Sequence, residues 1–238
     1  MLIHSPLTGP EAWGALPDAL RARGRRVIEV EVRDDHAPPY AAAFVARAAL
    51  QILAGTTGRG NADAGVVLVG HSGAGYLLPA IGAARRAGHG RVTGYVFVDA
   101  GLPPSRAAHR LDLLRSEDAT HAERLDHLLL AGGTFPDWTD ASMRGLVADD
   151  LVRARLVLSL RPRGLDFFTE RLPIVDDWPE APCAYLRLSP AYDVVARLAR
   201  LRGWPVLEGP DNRPGGHFAM VVDPEPVADD LETLVATM

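Results

Sequence analysis

The sequence contains no lysine, because all 25 of its basic residues are arginine. A Walker A phosphate loop and Schiff-base chemistry, including that of pyridoxal phosphate, both require a lysine amine. The absence of lysine therefore excludes these two kinds of site.

Cysteine and an excess of positive charge are also missing. The one cysteine, Cys183, excludes an internal disulfide and a cysteine-based zinc site. The formal net charge is −5, with arginines interspersed among acidic residues, so we expect no surface for nucleic acid. The remaining residues show no metal-ligand spacing, and we expect neither a metal nor a cofactor.

Long apolar runs are absent as well. No run reaches the ~18 to 20 residues that a membrane span needs, and residues 1–4 lack the charged start and apolar core of a signal peptide. The chain has 238 residues, 47% of them hydrophobic and 23% charged, which is typical of one soluble globular domain. We expect a cytoplasmic protein that acts on a small molecule and does not bind a membrane; the sequence leaves a homodimer open.

Strands alternate with helices along most of the chain. Apolar, β-branched runs predict strands at residues 2–4, 26–32, 66–69, 92–98, 184–188 and 204–207. Apolar residues at helical spacing predict helices at 11–23, 40–53, 73–86, 193–202 and 226–237. This alternation predicts an α/β fold with a mainly parallel central sheet of about six strands, flanked by helices.

The strand pattern lapses between residues 105 and 180, where helical stretches replace it. We expect residues 1–104 and 181–238 to form the sheet-containing core and residues 105–180 to form a helical cap inserted into it. The insertion is rich in aromatic residues, which either pack a core of their own or line a substrate site. They are Phe135, Trp138, Phe167, Phe168 and Trp178.

The most informative stretch is residues 66–75, Val-Val-Leu-Val-Gly-His-Ser-Gly-Ala-Gly. It predicts a strand, a tight turn at Ser72, here called the elbow, and a helix. It matches the pattern Gly-x-Ser-x-Gly except that Ala74 replaces the second glycine. Such a turn holds a serine on strained backbone with its hydroxyl above the sheet. The pattern indicates that Ser72 is a nucleophile, and the alternative is an ordinary strand-to-helix turn.

An elbow serine needs a base and a carboxylate that orients the base. His217 follows the last predicted strand and a Pro-Gly-Gly loop, so it can reach the carboxyl ends of the strands. Two carboxylates compete for the third role: Asp99, at the end of the strand after the elbow helix, and Asp193, after the next strand. Helix capping alone explains Asp193, and we therefore favour Asp99 and keep Asp193 as the alternative acid.

These motifs resemble those of the α/β-hydrolase superfamily, and the resemblance extends over essentially the whole chain. It is carried by residues 70–75 at the elbow, residues 216–218 near the end, and His-Ser-Pro at residues 4–6, where relatives often have His-Gly. The order nucleophile, acid, histidine also fits. The chain therefore looks like a small member of that superfamily with a helical cap.

The resemblance implies an oxyanion hole made of two backbone N–H groups, one of them from Gly73, which follows the serine. The second aligns with Pro6, which has no N–H. Either Leu7 supplies this donor through a shifted loop or the hole is incomplete.

The resemblance also implies a serine hydrolase of the carboxylesterase or thioesterase type, which needs no cofactor. It would cleave an ester or thioester of a small apolar or aromatic substrate through an acyl-enzyme on Ser72. The fold hosts other chemistries, so two alternatives stay open. One is an acyltransferase, lyase or cyclase, and the other is a catalytically silent binding protein.

Overall fold

A computed structural model of the chain describes residues 1–33, 37–56 and 65–238. Within them, six strands form one parallel sheet, as predicted. They are β1 Leu2–Ile3, β2 Glu29–Val30, β3 Val66–His71, β4 Val92–Val98, β5 Cys183–Arg187 and β6 Val206–Glu208. Their order across the sheet is β2-β1-β3-β4-β5-β6.

Helices connect the strands and cover both faces of the sheet. They are α1 Leu16–Ala22, α2 Tyr40–Thr56, α3 Leu78–Ala87, α4 Arg110–Glu117, α5 Ala119–Leu130, α6 Asp140–Met143, α7 Asp150–Leu158, α8 Leu165–Thr169, α9 Asp193–Leu201, α10 Ala219–Val222 and α11 Pro224–Ala236. None of the helices described is both long enough and apolar enough to cross a bilayer.

Alternate residues of the central strands enter two separate apolar clusters, because successive side chains of a strand point to opposite faces. On one face, Phe44 of α2, Ile81 of α3 and Val195 of α9 are buried against the sheet. On the other face, Leu16 of α1 and Leu231 of α11 are buried. Burial on both faces explains why β3 and β4 are nearly continuous apolar runs.

Three predicted elements differ clearly from their sequence pattern. The helix predicted at 73–86 starts as a 3-10 helix over Ser72–Leu77, and α3 follows from Leu78. The strand predicted at residues 26–32 pairs with β1 only over Glu29–Val30, at the edge of the sheet. The helix predicted at 11–23 is divided: a 3-10 turn covers Pro10–Trp13, and α1 begins only at Leu16. Gly14, with φ of +52°, lies at the break between them.

Residues 105–180 contribute helices α4 to α8 and no strand of the sheet. Phe167 and Phe168 are buried there in a cluster that also contains Tyr40 of α2. Trp178 instead packs edge-on against Phe97 of β4, with ring centroids 6.2 Å apart. The aromatic residues of this segment therefore do not share one role.

The elbow after β3 packs tightly against the chain that follows β4. A Cβ atom added at Gly75 would overlap the carbonyl oxygen of Gly101 and lie 2.9 Å from the Cβ of Ala100. Gly75, one residue beyond the expected second glycine, is thus the position at which the two segments require a missing side chain.

We predict that Gly75→Ala destabilises the protein by about 1 to 3 kcal/mol, because overpacking forces the neighbouring backbone to move. The measurement is the free energy of unfolding from urea denaturation. Gly145→Ala is the matched control, since nothing lies within 4 Å of the Cβ that it adds, and it should change stability by less than about 0.5 kcal/mol. Equal stabilities of the two variants would contradict this account of the elbow.

Candidate active site

The candidate nucleophile leaves the sheet beside the candidate acid. His71 at the end of β3 pairs with Val98 at the end of β4, and Ser72 and Asp99 are the next residues of the two strands. Ser72 has φ of +56° and Asp99 has φ of +38°, both in the left-handed region that residues other than glycine rarely adopt. Ser72 is half-buried at this edge, with the backbone strain expected of an elbow.

His217 is brought to the same edge by the loop after β6. Its Nδ1 atom lies 3.2 Å from Oδ2 of Asp99. Gly215 and Gly216, with φ of +80° and +49°, allow the sharp turn before it, and the buried ring of Phe218 anchors the loop after it. Two of the three predicted triad side chains, Asp99 and His217, are therefore in contact.

The carboxylate of Asp99 is completely buried, and donors from the segment after β5 surround it. Oδ1 accepts from the backbone N–H groups of Leu188, at 2.6 Å, and Ser189, at 3.2 Å. The Ser189 hydroxyl donates to Oδ2 at 2.6 Å. Charge-assisted hydrogen bonds of this kind hold a carboxylate in one orientation, so His217 meets a rigid acceptor.

The alternative acid has other partners. Oδ1 of Asp193 lies 2.8 Å from Nε of Arg187, and half of the Asp193 side chain is exposed. Arg187 also binds Asp211 at 2.6 Å. The structure thus places Asp193 in a surface ion-pair cluster at the end of β5, and Asp99 is the carboxylate in contact with His217.

The ring of His71 packs against the ring of His217 and bonds to its backbone. The two rings lie 4.3 Å apart, and Nε2 of His71 is 3.0 Å from the carbonyl oxygen of His217. Burial holds the pKa of His71 well below its ordinary value, so the ring is neutral and donates to this carbonyl from Nε2. The elbow therefore positions the backbone of His217 as well as presenting Ser72.

Tyr192 is a site residue that the sequence did not single out. Its ring stacks on that of His217, with centroids 5.1 Å apart and planes 6° apart. Burial and the charge of Asp99 raise the pKa of Tyr192 well above its ordinary value, while a hydrogen bond with the Ser72 side chain opposes the shift. The sequence did offer one signal for Tyr192: it follows β5 closely, at the same edge of the sheet where Ser72 follows β3 and Asp99 follows β4.

The predicted oxyanion residues lie beside the elbow, with one difference in detail. Gly73 and Leu7 both line the cavity that Ser72 faces. The N–H of Leu7, however, donates to Oγ of Ser5 at 3.2 Å. Ser5 is itself buried and lines the same cavity.

The cavity above Ser72 and His217 has a volume of about 380 Å³. This lies within the range of pockets that hold small molecules. Its apolar walls come mainly from residues 105–180: Leu114, Leu125, Phe135, Trp138, Phe167 and Phe168.

Ionisable side chains interrupt these apolar walls: Arg110, Glu117, Asp118 and His121 also line the cavity. Burial raises the pKa of Glu117 to about 7, although a hydrogen bond from the Tyr76 hydroxyl, at 3.5 Å, opposes the shift. Arg110 is buried, donates to the carbonyl oxygen of Phe167 at 2.9 Å and lies 3.9 Å from the centre of that ring. Within the described chain, no group of three or more histidine, cysteine or acidic residues is arranged to hold a metal.

Known structures share this architecture at low sequence identity. One is an extracellular alpha/beta-hydrolase from a Paenibacillus species, which is described as sharing structural and functional homology with tobacco salicylic acid binding protein 2. It is 17% identical to this chain, with a TM-score of 0.66, and the match covers 98% of this chain and 97% of that one. Tomato methylketone synthase I, in complex with β-ketoheptanoate, is 12% identical with a TM-score of 0.69, covering 99% and 96%. Polyneuridine aldehyde esterase is 17% identical with a TM-score of 0.65, covering 98% and 97%.

Identities this low establish a shared fold, and the family assignment comes from the sequence itself. No curated protein matches the chain. The family model described as the alpha/beta hydrolase family matches residues 1–230, nearly the whole length. The chain therefore belongs to the alpha/beta hydrolase family.

Proposed function

We propose that this protein is a serine hydrolase that cleaves an ester or thioester through an acyl-enzyme on Ser72. The observation that carries the proposal is the contact between Asp99 and His217 at the sheet edge where Ser72 emerges on strained backbone. One neighbour of the same fold is named an esterase, in agreement with this chemistry.

In the proposed mechanism, His217 is the general base. Asp99 accepts the Nδ1 proton of His217 in a hydrogen bond, which leaves Nε2 free to take the proton from the Ser72 hydroxyl. The serine oxygen attacks the carbonyl carbon, and the Gly73 N–H stabilises the resulting oxyanion. His217 then protonates the leaving group, and water activated by the same imidazole releases the acid product.

We propose that residues 105–180 act as the cap over this site and select the substrate. The six apolar side chains that they contribute to the cavity favour an apolar or aromatic substrate body of small size. At neutral pH Glu117 is partly protonated, so it can accept from or donate to one polar group of the substrate.

We predict that Ser72→Ala lowers the turnover of short p-nitrophenyl esters at least about 10³-fold, because the nucleophile is lost. A fluorophosphonate probe should label the parent protein at Ser72, as intact-mass and peptide spectrometry would show. Ser116→Ala removes an exposed serine of α4 and should keep both rate and labelling. A folded parent protein that is neither labelled nor active would sink the proposal, and turnover only with an added alcohol or amine would indicate an acyltransferase.

The choice of acid has its own test. Asp99→Asn should lower kcat on the order of 10⁴-fold, because an amide in this position favours the wrong tautomer of His217. Asp193→Asn is the matched control and should stay within about threefold of the parent, since its partner is Arg187. Circular dichroism checks that both variants are folded, and equal losses in the two would show that Asp99 has no special role.

The burial of Glu117 predicts a pH-dependent stability. Its folded-state pKa of about 7 lies above the unfolded value of 4.5, so the native state keeps a proton that the unfolded state loses, and stability falls as pH rises through this window. Glu117→Gln removes this pH dependence. The Tm of the variant minus the Tm of the parent should therefore be larger at pH 8 than at pH 5. Each kcal/mol of difference in stability corresponds to about 2 to 4 °C in Tm. Glu123→Gln, on the exposed side of α5, controls for loss of a carboxylate; the same Tm advantage for Glu117→Gln at both pH values would refute the prediction.

A further inference from the structure

The loop after β1 lacks the backbone donor that the oxyanion hole would be expected to take from it. Pro6, at the expected position, has no N–H. The N–H of Leu7, the next candidate, donates to Oγ of Ser5 at 3.2 Å. A hydrolase that relied on Gly73 alone would lose on the order of 10²- to 10³-fold in rate.

We propose that the hydroxyl of Ser5 is the second oxyanion donor and thus a further catalytic residue. The inference rests on the proposed serine hydrolase function and goes beyond it, since it assigns the second donor of the hole to a side chain in place of a backbone N–H, while Gly73 supplies the first. Ser5 is 1% exposed and lines the cavity together with Ser72 and Gly73.

The position of Ser5 suits a hole shared with Gly73. Its Oγ lies 3.1 Å from the point that a Cβ atom on Gly73 would occupy, and the Gly73 nitrogen is about 2.5 Å from that point by standard backbone geometry. The two donors are therefore at most about 5.6 Å apart. Two donors that each lie about 2.7 to 3.1 Å from one oxygen can be separated by up to about 6 Å, so the distance between them is compatible with a shared oxyanion.

The proton of the Ser5 hydroxyl is available for this role. A hydroxyl has one proton to donate and two lone pairs that accept, and Oγ of Ser5 already accepts from Leu7. Among the hydrogen bonds of the described residues, none uses the Ser5 hydroxyl as donor. A hydroxyl that accepts from an N–H is polarised and becomes a stronger donor.

The loop holds Ser5 in place before any substrate arrives. The Ser5 carbonyl oxygen accepts from the N–H of Thr8, at 3.0 Å, and from Nδ1 of His4, at 2.7 Å. Nε2 of His4 accepts from the backbone N–H of Val32 at 3.1 Å, which sets the tautomer with the proton on Nδ1. A donor held in this way needs little reorganisation when negative charge develops.

The chemical step keeps the Ser5 proton on Ser5. When Ser72 attacks, the electron pair of the carbonyl bond moves to the oxygen, which accepts hydrogen bonds from the Ser5 hydroxyl and the Gly73 N–H. When the leaving group departs, the pair returns and both hydrogen bonds weaken. Ser5 therefore contributes in the transition state and little in the ground state.

The first test is Ser5→Ala in the full-length protein. We expect kcat for p-nitrophenyl esters to fall about 10²- to 10³-fold while KM changes little. The affinity for a trifluoromethyl ketone, whose adduct with Ser72 carries an oxyanion, should fall by a factor similar to the loss in kcat/KM. Thr56→Val, which removes a buried hydroxyl that bonds only within α2 and does not line the cavity, should lose far less of each.

The second test is rescue. Pro6→Ala in the Ser5→Ala background restores an N–H at the position aligned with the usual donor, and it should recover at least about tenfold in kcat. A purely structural role of Ser5 predicts no such recovery. Ser5→Gly replaces Ser5→Ala if the alanine variant does not fold, with the same expected loss and rescue.

The outcomes separate the two proposals. An active parent with Ser5→Ala within about threefold of its kcat, or a loss that Pro6→Ala fails to restore, overturns the role of Ser5 and leaves the serine hydrolase intact. A folded parent that neither turns over esters nor reacts with fluorophosphonate at Ser72 overturns both.

Discussion

The buried carboxylate of Asp99 is the group on which the arrangement of the site depends. A charge removed from water is costly unless hydrogen bonds replace its hydration. The hydrogen bonds to Asp99 come from the backbone N–H groups of Leu188 and Ser189, the Ser189 hydroxyl and the ring of His217. To satisfy one carboxylate, the ends of β4 and β5 and the loop after β6 must come together, and this same convergence builds the candidate active site.

The parallel sheet makes this convergence possible. Because β3, β4 and β5 are neighbours that run in the same direction, their carboxyl ends meet at one edge, and residues distant in sequence become adjacent. The positive φ angles of Ser72 and Asp99 cost energy that the packing around them must offset. The contact of Gly75 with Gly101 and the burial of the His71 ring beneath His217 are parts of that packing.

The sequence predicted those features that a local pattern encodes. The six-stranded parallel sheet followed from apolar runs, most accurately at 92–98, which is buried on both sides, and least accurately at 26–32, at the edge of the sheet. The sequence favoured Asp99 over Asp193 as the acid, but no local pattern shows the ion pair of Asp193 with Arg187 or the contact of Asp99 with His217. Tyr192 escaped notice for the same reason, because its importance lies in a ring stacked across the fold.

The sequence departs from the usual motifs at two positions, and in each case a neighbouring residue has the property that the motif residue would supply. Ala74 replaces the second glycine of the elbow, and the close approach to Gly101 falls instead on Gly75. Pro6 removes a backbone donor, and on the assignment proposed above Ser5 supplies a hydroxyl at the same edge. At the elbow the requirement is a residue without a side chain, and Gly75 meets it in place of Ala74. At the loop after β1 the proposed requirement is a hydrogen-bond donor for the oxyanion, and Ser5 would meet it in place of Pro6. In this chain, the positions of the atoms around Ser72 are therefore a better basis for a functional hypothesis than exact agreement with the motif.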